Sequence, residues 1–300
     1  MLRTPLRRSE WLSAGAGGDV FLKLETLQPT FSFKIRGAFN AVLSILEQHG
    51  RHPPPLVTAS AGNHGQALAY AARAAGIPLT VFLPTTAPRT KTDAIRRMGA
   101  QLMVCADYDE AEAGAKTHAV EGHALFVSPY SHPDVIAGAG TIGLELLEQE
   151  PDLDAIAVPV GGGGLLAGIA IAVKSNQRRV EVAGVEVEAS TPFRRSLAAG
   201  RIVAVEVHPT LADGLAGNLD PETITFEYVQ RLVDRMSVVS EPQLQQAIVG
   251  LLREERIIAE GAGATAVAAV LGSALETRGR RIAVVISGAN IDIDKLMSLI

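Results

Sequence analysis

The chain has 300 residues, of which 47% are hydrophobic and 20% are charged. This composition is typical of a globular protein with one or two domains, and it excludes an intrinsically disordered chain. The net charge of −5 argues against a nucleic-acid partner, because there is no basic excess to displace counterions from phosphates.

Cys105 is the single cysteine, which excludes an internal disulfide and a cysteine-rich zinc site. It ends the apolar run 102–105 and is interpreted as a small core residue of a strand rather than as a nucleophile. No apolar stretch reaches the ~18 residues of a membrane span, and the first residues lack an apolar signal core. We therefore expect a cytoplasmic protein with no membrane partner.

Short β-branched runs alternate with longer alanine-rich patterns, which is typical of βαβ units and of parallel sheets covered by helices on both faces. In a first group, strands are predicted at 57–59, 79–83, 101–105 and 125–127, and helices at 65–75, 89–98 and 108–120. In a second group, strands are predicted at 155–160, 180–185 and 283–286, and a helix at 165–173.

The first group predicts a small inserted α/β domain of residues 46–130, because prolines 53–55 mark its entry and Pro129 with Pro133 its exit. Residues 1–45 and 131–300 would then form a large domain. We expect an α/β fold of two parallel-sheet domains, with the active site in the cleft between them at the carboxyl ends of strands.

A run of four glycines, Gly161–Gly164, lies between a predicted strand and an apolar helix. Successive glycines let backbone N–H groups converge, and the helix N-terminus adds partial positive charge, so the run favours a phosphate group. A tight structural turn is the alternative. No Lys-Ser or Lys-Thr pair follows, which excludes a nucleotide P-loop. A nicotinamide enzyme stays open, because Glu186 ends the next strand.

Lys34 lies between Phe33 and Ile35, where a helix is predicted to begin. Apolar neighbours and the positive end of a helix both favour a neutral, nucleophilic amine. The alternative is an ordinary surface lysine at a helix start.

The segment Ser60–Gly65 follows the first strand of the small domain. Ser60 and Asn63 are expected to cap the helix that begins near His64. The N–H groups of that first turn also form a site for a carboxylate. His64 is either a catalytic base or a histidine held in place at a helix start.

Taken in order, six segments resemble the fold type II pyridoxal-phosphate enzymes, whose fold is that of the tryptophan synthase β subunit. Within them, the chain is most similar to the threonine (serine) dehydratases and serine racemases. The segments are Thr4–Leu6, Ser32–Ala38, Ser60–Gln66, Gly161–Leu165, Glu260–Gly263 and Ser287–Asn290.

The resemblance implies pyridoxal 5'-phosphate as cofactor, with Lys34 forming the Schiff base and moving the Cα proton. The other implied cofactor contacts are Phe33 at the ring face, Asn63 at the ring hydroxyl, Gly161, Gly162, Gly163 and Gly164 at the phosphate, and Ser287 at the ring nitrogen. The implied contacts with the substrate carboxylate are Ser60, Ala61, Gly62 and His64. Glu260 matches an acidic position near the cofactor, or is a helix N-terminal acid.

The implied reaction removes water and ammonia from a small β-hydroxy amino acid, with L-threonine or L-serine as first choice. Serine racemases have a serine where Ala61 stands, and alanine cannot transfer a proton, so the lyase is preferred. A serine or aspartate racemase, a 3-hydroxyaspartate dehydratase and a non-enzymatic binder stay open.

Four further implications follow from the resemblance and from departures from the family pattern. Phe31 stands where relatives often have glycine, which leaves the substrate open. Glu186 matches a cation-binding glutamate of the family, but Pro192 replaces its aspartate partner, so no metal is expected. The resemblance also implies a homodimer, and no isoleucine feedback because the sequence ends soon after Ser287.

Overall fold

The structure is a computed structural model that describes residues 1–50, 52–87 and 89–300. Its strands are β1 (Leu6–Arg8), β2 (Asp19–Leu24), β3 (Leu56–Ala59), β4 (Leu79–Pro84), β5 (Gln101–Cys105), β6 (Leu125–Phe126), β7 (Ala155–Pro159), β8 (Glu181–Val187), β9 (Arg235–Val239) and β10 (Arg281–Ile286).

The α-helices are α1 (Glu10–Ala16), α2 (Lys34–His49), α3 (Asn63–Ala75), α4 (Arg89–Arg97), α5 (Tyr108–Glu121), α6 (Pro133–Gln149), α7 (Gly164–Asn176), α8 (Pro192–Ala199), α9 (Thr225–Leu232), α10 (Glu241–Glu255), α11 (Gly261–Leu271) and α12 (Ile293–Met297). Short 3-10 helices cover Glu25–Leu27 and Asp213–Leu215. Within the described residues, none of the helices is long and apolar enough to cross a membrane.

The chain divides into two compact units. The small unit is Lys34–Gly138 with Met1, and the large unit is Leu2–Phe33 with Ala139–Ile300. The small unit is wider than the predicted inserted domain, because α2 shares a hydrophobic core with α3. The limits of the predicted inserted domain at residues 46 and 130 stay a prediction.

The small unit is built on a parallel sheet with strand order β5-β4-β3-β6. Leu56 and Val81 face a core formed with α2 and α3, whereas Val57 and Phe82 face a second core formed with α5. Alternate side chains of a strand point to opposite faces, so both faces of this sheet are covered. The predicted parallel sheet of βαβ units is confirmed.

Cys105 lies in a strand, as predicted, and is half-buried at the margin of the core formed with α5. It ends β5, which lies at the edge of the small sheet and leaves Met103 and Val104 exposed. An apolar run alone does not distinguish an edge strand from a central one.

The large unit contains a six-stranded sheet with order β1-β2-β10-β7-β8-β9, in which β1 is antiparallel and the other strands are parallel. Helix α11 packs on one face against Leu22, Ala157 and Val284. Helix α7 covers the other face, where Leu166 lies against Gly184. The α/β fold with two mostly parallel sheets is confirmed.

Candidate active site

Lys34 is the first residue of α2, as predicted, and its side chain is half-buried. The Nζ atom donates a hydrogen bond of 2.7 Å to the carbonyl of Pro129. Pro129 follows β6, so the amine lies near the carboxyl edge of the small sheet. The helix that carries Lys34 passes close to α6, because a Cβ atom on Gly37 would lie 2.7 Å from the carbonyl of Val135.

The residue at the N-cap of α3, in the segment that follows β3, makes no side-chain cap hydrogen bond. Gly62 occupies the N-cap position, and Asn63 is the first helical residue. The Ser60 hydroxyl instead accepts a hydrogen bond of 3.3 Å from the N–H of Gly62. The predicted capping role of Ser60 and Asn63 stays a prediction. A first turn whose N-cap residue has no side chain is an arrangement that a carboxylate can bind.

His64 is 2% exposed, and its Nε2 lies 3.2 Å from the carbonyl of Val127. Its Nδ1 has no hydrogen-bond partner within the described part of the chain. Burial, and secondly the charge of Lys34, lower the pKa of His64 to about 3. The ring is therefore neutral near pH 7 and a weak base, which favours the interpretation of a histidine held in place. Only its backbone N–H is suited to a carboxylate.

The glycine run, named the glycine turn (Gly161–Gly164), connects β7 to α7. Gly163 has φ +85°, and a Cβ atom there would lie 2.4 Å from Cζ of Phe193. The Thr225 hydroxyl donates a hydrogen bond of 2.8 Å to the carbonyl of Gly162. Gly163 is the N-cap of α7 and has no side chain to fill the first-turn donors. The turn therefore presents backbone N–H groups to an anion.

Ser287 follows β10, which pairs with β7 in parallel. Ser287 and the glycine turn therefore lie at the same carboxyl edge of the large sheet. The Ser287 side chain is 4% exposed, and its hydroxyl has a long contact of 3.5 Å with the carbonyl of Ala262. The N–H of Phe33 donates to the carbonyl of Ser287 at 2.9 Å, so the structure brings these two predicted residues together.

Glu260 is the N-cap residue of α11 and is 4% exposed. Its N–H donates a hydrogen bond of 3.1 Å to the carbonyl of Gly288, directly after Ser287. Glu260 is thus both a helix N-terminal acid and a neighbour of the Ser287 turn.

The residues present fit a phosphate-bearing aldehyde cofactor. The glycine turn is held tightly against Phe193, since a Cβ atom at position 163 would clash with its ring, and the backbone N–H groups of the turn suit a phosphate. Ser287 offers a hydroxyl at the same edge, and Lys34 offers a half-buried amine. The cofactor contacts assigned to these residues by resemblance stay predictions.

Three residues that hold these groups were missed by sequence reasoning, namely Pro129, Phe193 and Thr225. Pro129 contributes a backbone carbonyl, which any residue could supply. Phe193 and Thr225 lie in the first turns of short helices outside the glycine-rich segments, and no signal in the sequence links them to the turn.

Comparison with known proteins identifies relatives along almost the whole chain. The family model described as "Pyridoxal-phosphate dependent enzyme" matches residues 1–288. An L-threonine ammonia-lyase of Thermotoga maritima is 45% identical over 299 residues, which cover 99% of this chain and 74% of that protein. A serine racemase of Homo sapiens is 40% identical, with 97% of this chain and 86% of that protein covered.

Solved structures agree with these sequence matches. The processed form of threonine deaminase isoform 2 from Solanum lycopersicum superimposes with a TM-score of 0.92 at 35% identity. The match covers 99% of this chain and 87% of the tomato chain. The sequence matches and the structural match therefore identify the same group of proteins, the pyridoxal-phosphate-dependent enzymes that include threonine deaminases.

Proposed function

The chain belongs to the family of pyridoxal-phosphate-dependent enzymes, and we propose that it converts L-threonine or L-serine to a 2-oxo acid and ammonia. It is a lyase of the threonine dehydratase type, because L-threonine ammonia-lyases and dehydratases match nearly the whole chain. The choice between the two substrates, and the role of each site residue, belong to the proposal.

Bound pyridoxal phosphate withdraws electrons from the substrate Cα and thereby makes the Cα–H bond acidic. The protein must supply a base for that proton, an anchor for the carboxylate and a holder for the phosphate. Each of these tasks has a candidate among the residues of the site.

Lys34 is proposed as the group that holds the cofactor and then takes the Cα proton. Its amine is half-buried and rests 2.7 Å from the Pro129 carbonyl, which supports a position fixed by the protein. Departure of the β-hydroxyl as water balances the loss of the proton from Cα. The released enamine then takes up water and loses ammonia to give the 2-oxo acid.

Ser60, Ala61, Gly62 and His64 are proposed to orient the substrate through its carboxylate, with His64 acting through its backbone N–H. The N-terminus of α3 supports this, since its N–H donors and partial positive charge favour an anion and its N-cap residue, Gly62, has no side chain. The neutral His64 ring adds no charge there. Ala61 carries no proton-transferring group, so one face of Cα lacks a second base at this position.

Ser287 is proposed to hydrogen-bond the ring nitrogen without charging it. A neutral hydroxyl cannot protonate the nitrogen as a carboxylic acid would. The ring then stabilises negative charge at Cα less strongly, which favours prompt loss of the β-hydroxyl over a long-lived carbanion.

The observation that carries the proposal is the glycine turn, packed against Phe193 with the uncapped start of α7 behind it. The test is a panel of L-threonine, L-serine and L-threo-3-hydroxyaspartate incubated with the cofactor-loaded protein. Oxo acid is measured by mass spectrometry and D-isomers by chiral chromatography, with Lys34→Ala as the control. Oxo acid from threonine or serine is expected, whereas D-isomer without oxo acid would overturn the lyase proposal in favour of a racemase.

We also propose a cytoplasmic homodimer. Phe31, Ile258 and Ile293 are exposed apolar residues in or next to segments that hydrogen-bond to the Ser287–Ala289 turn, which suits a self-complementary surface. Analytical ultracentrifugation of the purified chain tests the stoichiometry, and a concentration-independent monomer would contradict it.

A further inference from the structure

Glu186 is a fully buried carboxylate to which the proposed reaction assigns no task. It lies in β8, and its two oxygens accept hydrogen bonds from the backbone N–H groups of Phe193 at 2.8 Å and Arg194 at 2.9 Å. A buried carboxylate is costly unless such partners compensate for the lost water. Both oxygens of the Glu186 carboxylate therefore accept hydrogen bonds from the first turn of α8.

Helix α8 begins with Pro192, which has no N–H and whose ring fixes φ for a first helical position. The next two residues then offer their N–H groups to Glu186. Thr191, at the N-cap, makes no side-chain cap hydrogen bond. Among the described contacts, Glu186 is thus the group that satisfies this helix end.

The anchored helix bears directly on the glycine turn. Phe193 is fully buried, and its ring packs so closely on Gly163 that a Cβ atom there would lie 2.4 Å away. Glu186 bonds the N–H of this same Phe193. Phe193 alone therefore connects the Glu186 carboxylate, through its backbone N–H, with the glycine turn, through its ring.

We propose that Glu186 is a positioning residue, which fixes the glycine turn through α8 and Phe193 and needs no cation to do so. The N–H groups and the partial positive charge of the helix end compensate in part for the burial of the carboxyl group, although burial still raises the pKa of Glu186 to about 7. Pro192 stands where the family resemblance places a cation-binding aspartate.

This inference rests on the proposed role of the glycine turn as phosphate site, and the phosphate provides the test. The full chain is stripped of cofactor and titrated with pyridoxal 5'-phosphate and with pyridoxal, which lacks the phosphate. Dissociation constants are measured by cofactor absorbance for wild type, Glu186→Ala, Glu186→Gln and Phe193→Leu. Glu188→Gln, an exposed acid two residues further on, is the matched control.

For Glu186→Ala we expect the dissociation constant of pyridoxal phosphate to rise about tenfold or more, with that of pyridoxal unchanged. Glu186→Gln retains one acceptor oxygen and should fall between this variant and wild type. Phe193→Leu leaves the Glu186 bonds to α8 in place and should reproduce the selective loss, so the test survives if Glu186→Ala does not fold. Glu188→Gln should match wild type.

Equal losses for both ligands, or no loss in Phe193→Leu, would overturn the inference, because a general destabilisation does not select for phosphate. Tighter binding of pyridoxal phosphate by wild type in millimolar Mg²⁺ or Ca²⁺ would also overturn it. If wild type itself binds pyridoxal phosphate no better than pyridoxal, the proposed phosphate site fails. If wild type prefers the phosphate and all variants behave like it, only the role of Glu186 fails.

Discussion

The backbone N–H of Phe33 donates a hydrogen bond of 2.9 Å to the carbonyl of Ser287. Ser32 and Gly288 form an antiparallel bridge beside it, and the N–H of Ala289 donates to the carbonyl of Phe31 at 2.9 Å. The segment that leads into Lys34 is therefore tied to the strand end that carries the Ser287 hydroxyl.

Ser287→Ala should lower kcat about tenfold, because the cofactor ring loses one hydrogen bond. The free energy of unfolding should change by less than about 1 kcal/mol, since the hydroxyl has only a long contact of 3.5 Å with Ala262. Steady-state kinetics and urea unfolding measure the two effects separately. A large loss of stability with unchanged kcat would assign Ser287 to the core alone.

Lys34→Ala should reduce kcat by about 10³-fold or more, because the variant lacks both the covalent attachment point and the base. The protein should also lose the absorbance of the covalently held cofactor. Lys116→Ala, which removes a partly exposed lysine paired with Glu112, should leave both properties unchanged. Retained absorbance in Lys34→Ala would refute the assignment.

Ala61→Ser should add racemisation to elimination, because the new hydroxyl can exchange a proton at Cα on the face opposite Lys34. Chiral chromatography after incubation with L-serine should show D-serine at about ten times the wild-type background. Ala74→Ser, an exposed change on α3, is the control. Equal D-serine from all three proteins would mean that position 61 does not face Cα.

Gly163→Ala should destabilise the fold by about 2–4 kcal/mol, because backbone strain at φ +85° adds to a clash with Phe193. Gly200→Ala separates the two causes. Gly200 has φ +67° with open space around it, so only strain of about 1 kcal/mol is expected. Thermal unfolding gives the comparison, and equal losses would show that the ring contact is unimportant.

The stability of the protein should fall as pH decreases below 6.5, in part because of His64. Its pKa is about 3 in the folded chain against 6.5 in the unfolded chain, so the unfolded chain binds more protons between these values. The contribution of His64 should fall by about 2 kcal/mol between about pH 7 and about pH 5.

His64→Gln should remove this contribution, whereas His208→Gln, at a side chain that is 57% exposed, should preserve it. Urea unfolding at the two pH values gives the difference for each protein. An identical pH dependence in wild type and His64→Gln would show that the ring is not held neutral.

The features that sequence predicts best are the turns at strand ends. Apolar runs before Ser60, Gly161 and Ser287 predict buried parallel strands, and the glycines and serines after them predict the carboxyl edges of the sheets. The start of α2 at Lys34 is equally local in origin. These strand ends and this helix start depend on a few neighbouring residues, so the local sequence is enough to predict them.

Other features depend on distant parts of the chain and could not be predicted. Strand β1 has three residues, two of them exposed, and exists because Leu6–Arg8 pairs with β2. Phe193 reaches the glycine turn from a helix anchored by Glu186, and Thr225 reaches it from the start of α9. Such contacts are set by packing, which the period of apolar residues does not encode.

The edge position of β5 makes the lone thiol a convenient attachment point. A fluorophore on Cys105 would report on the small sheet. Burial and the nearby Glu110 and Asp107 carboxylates raise the pKa of the Cys105 thiol, so maleimide labelling should proceed best in mildly alkaline buffer. For the same reason we expect the thiol to oxidise slowly during storage, because the thiolate is the form that reacts.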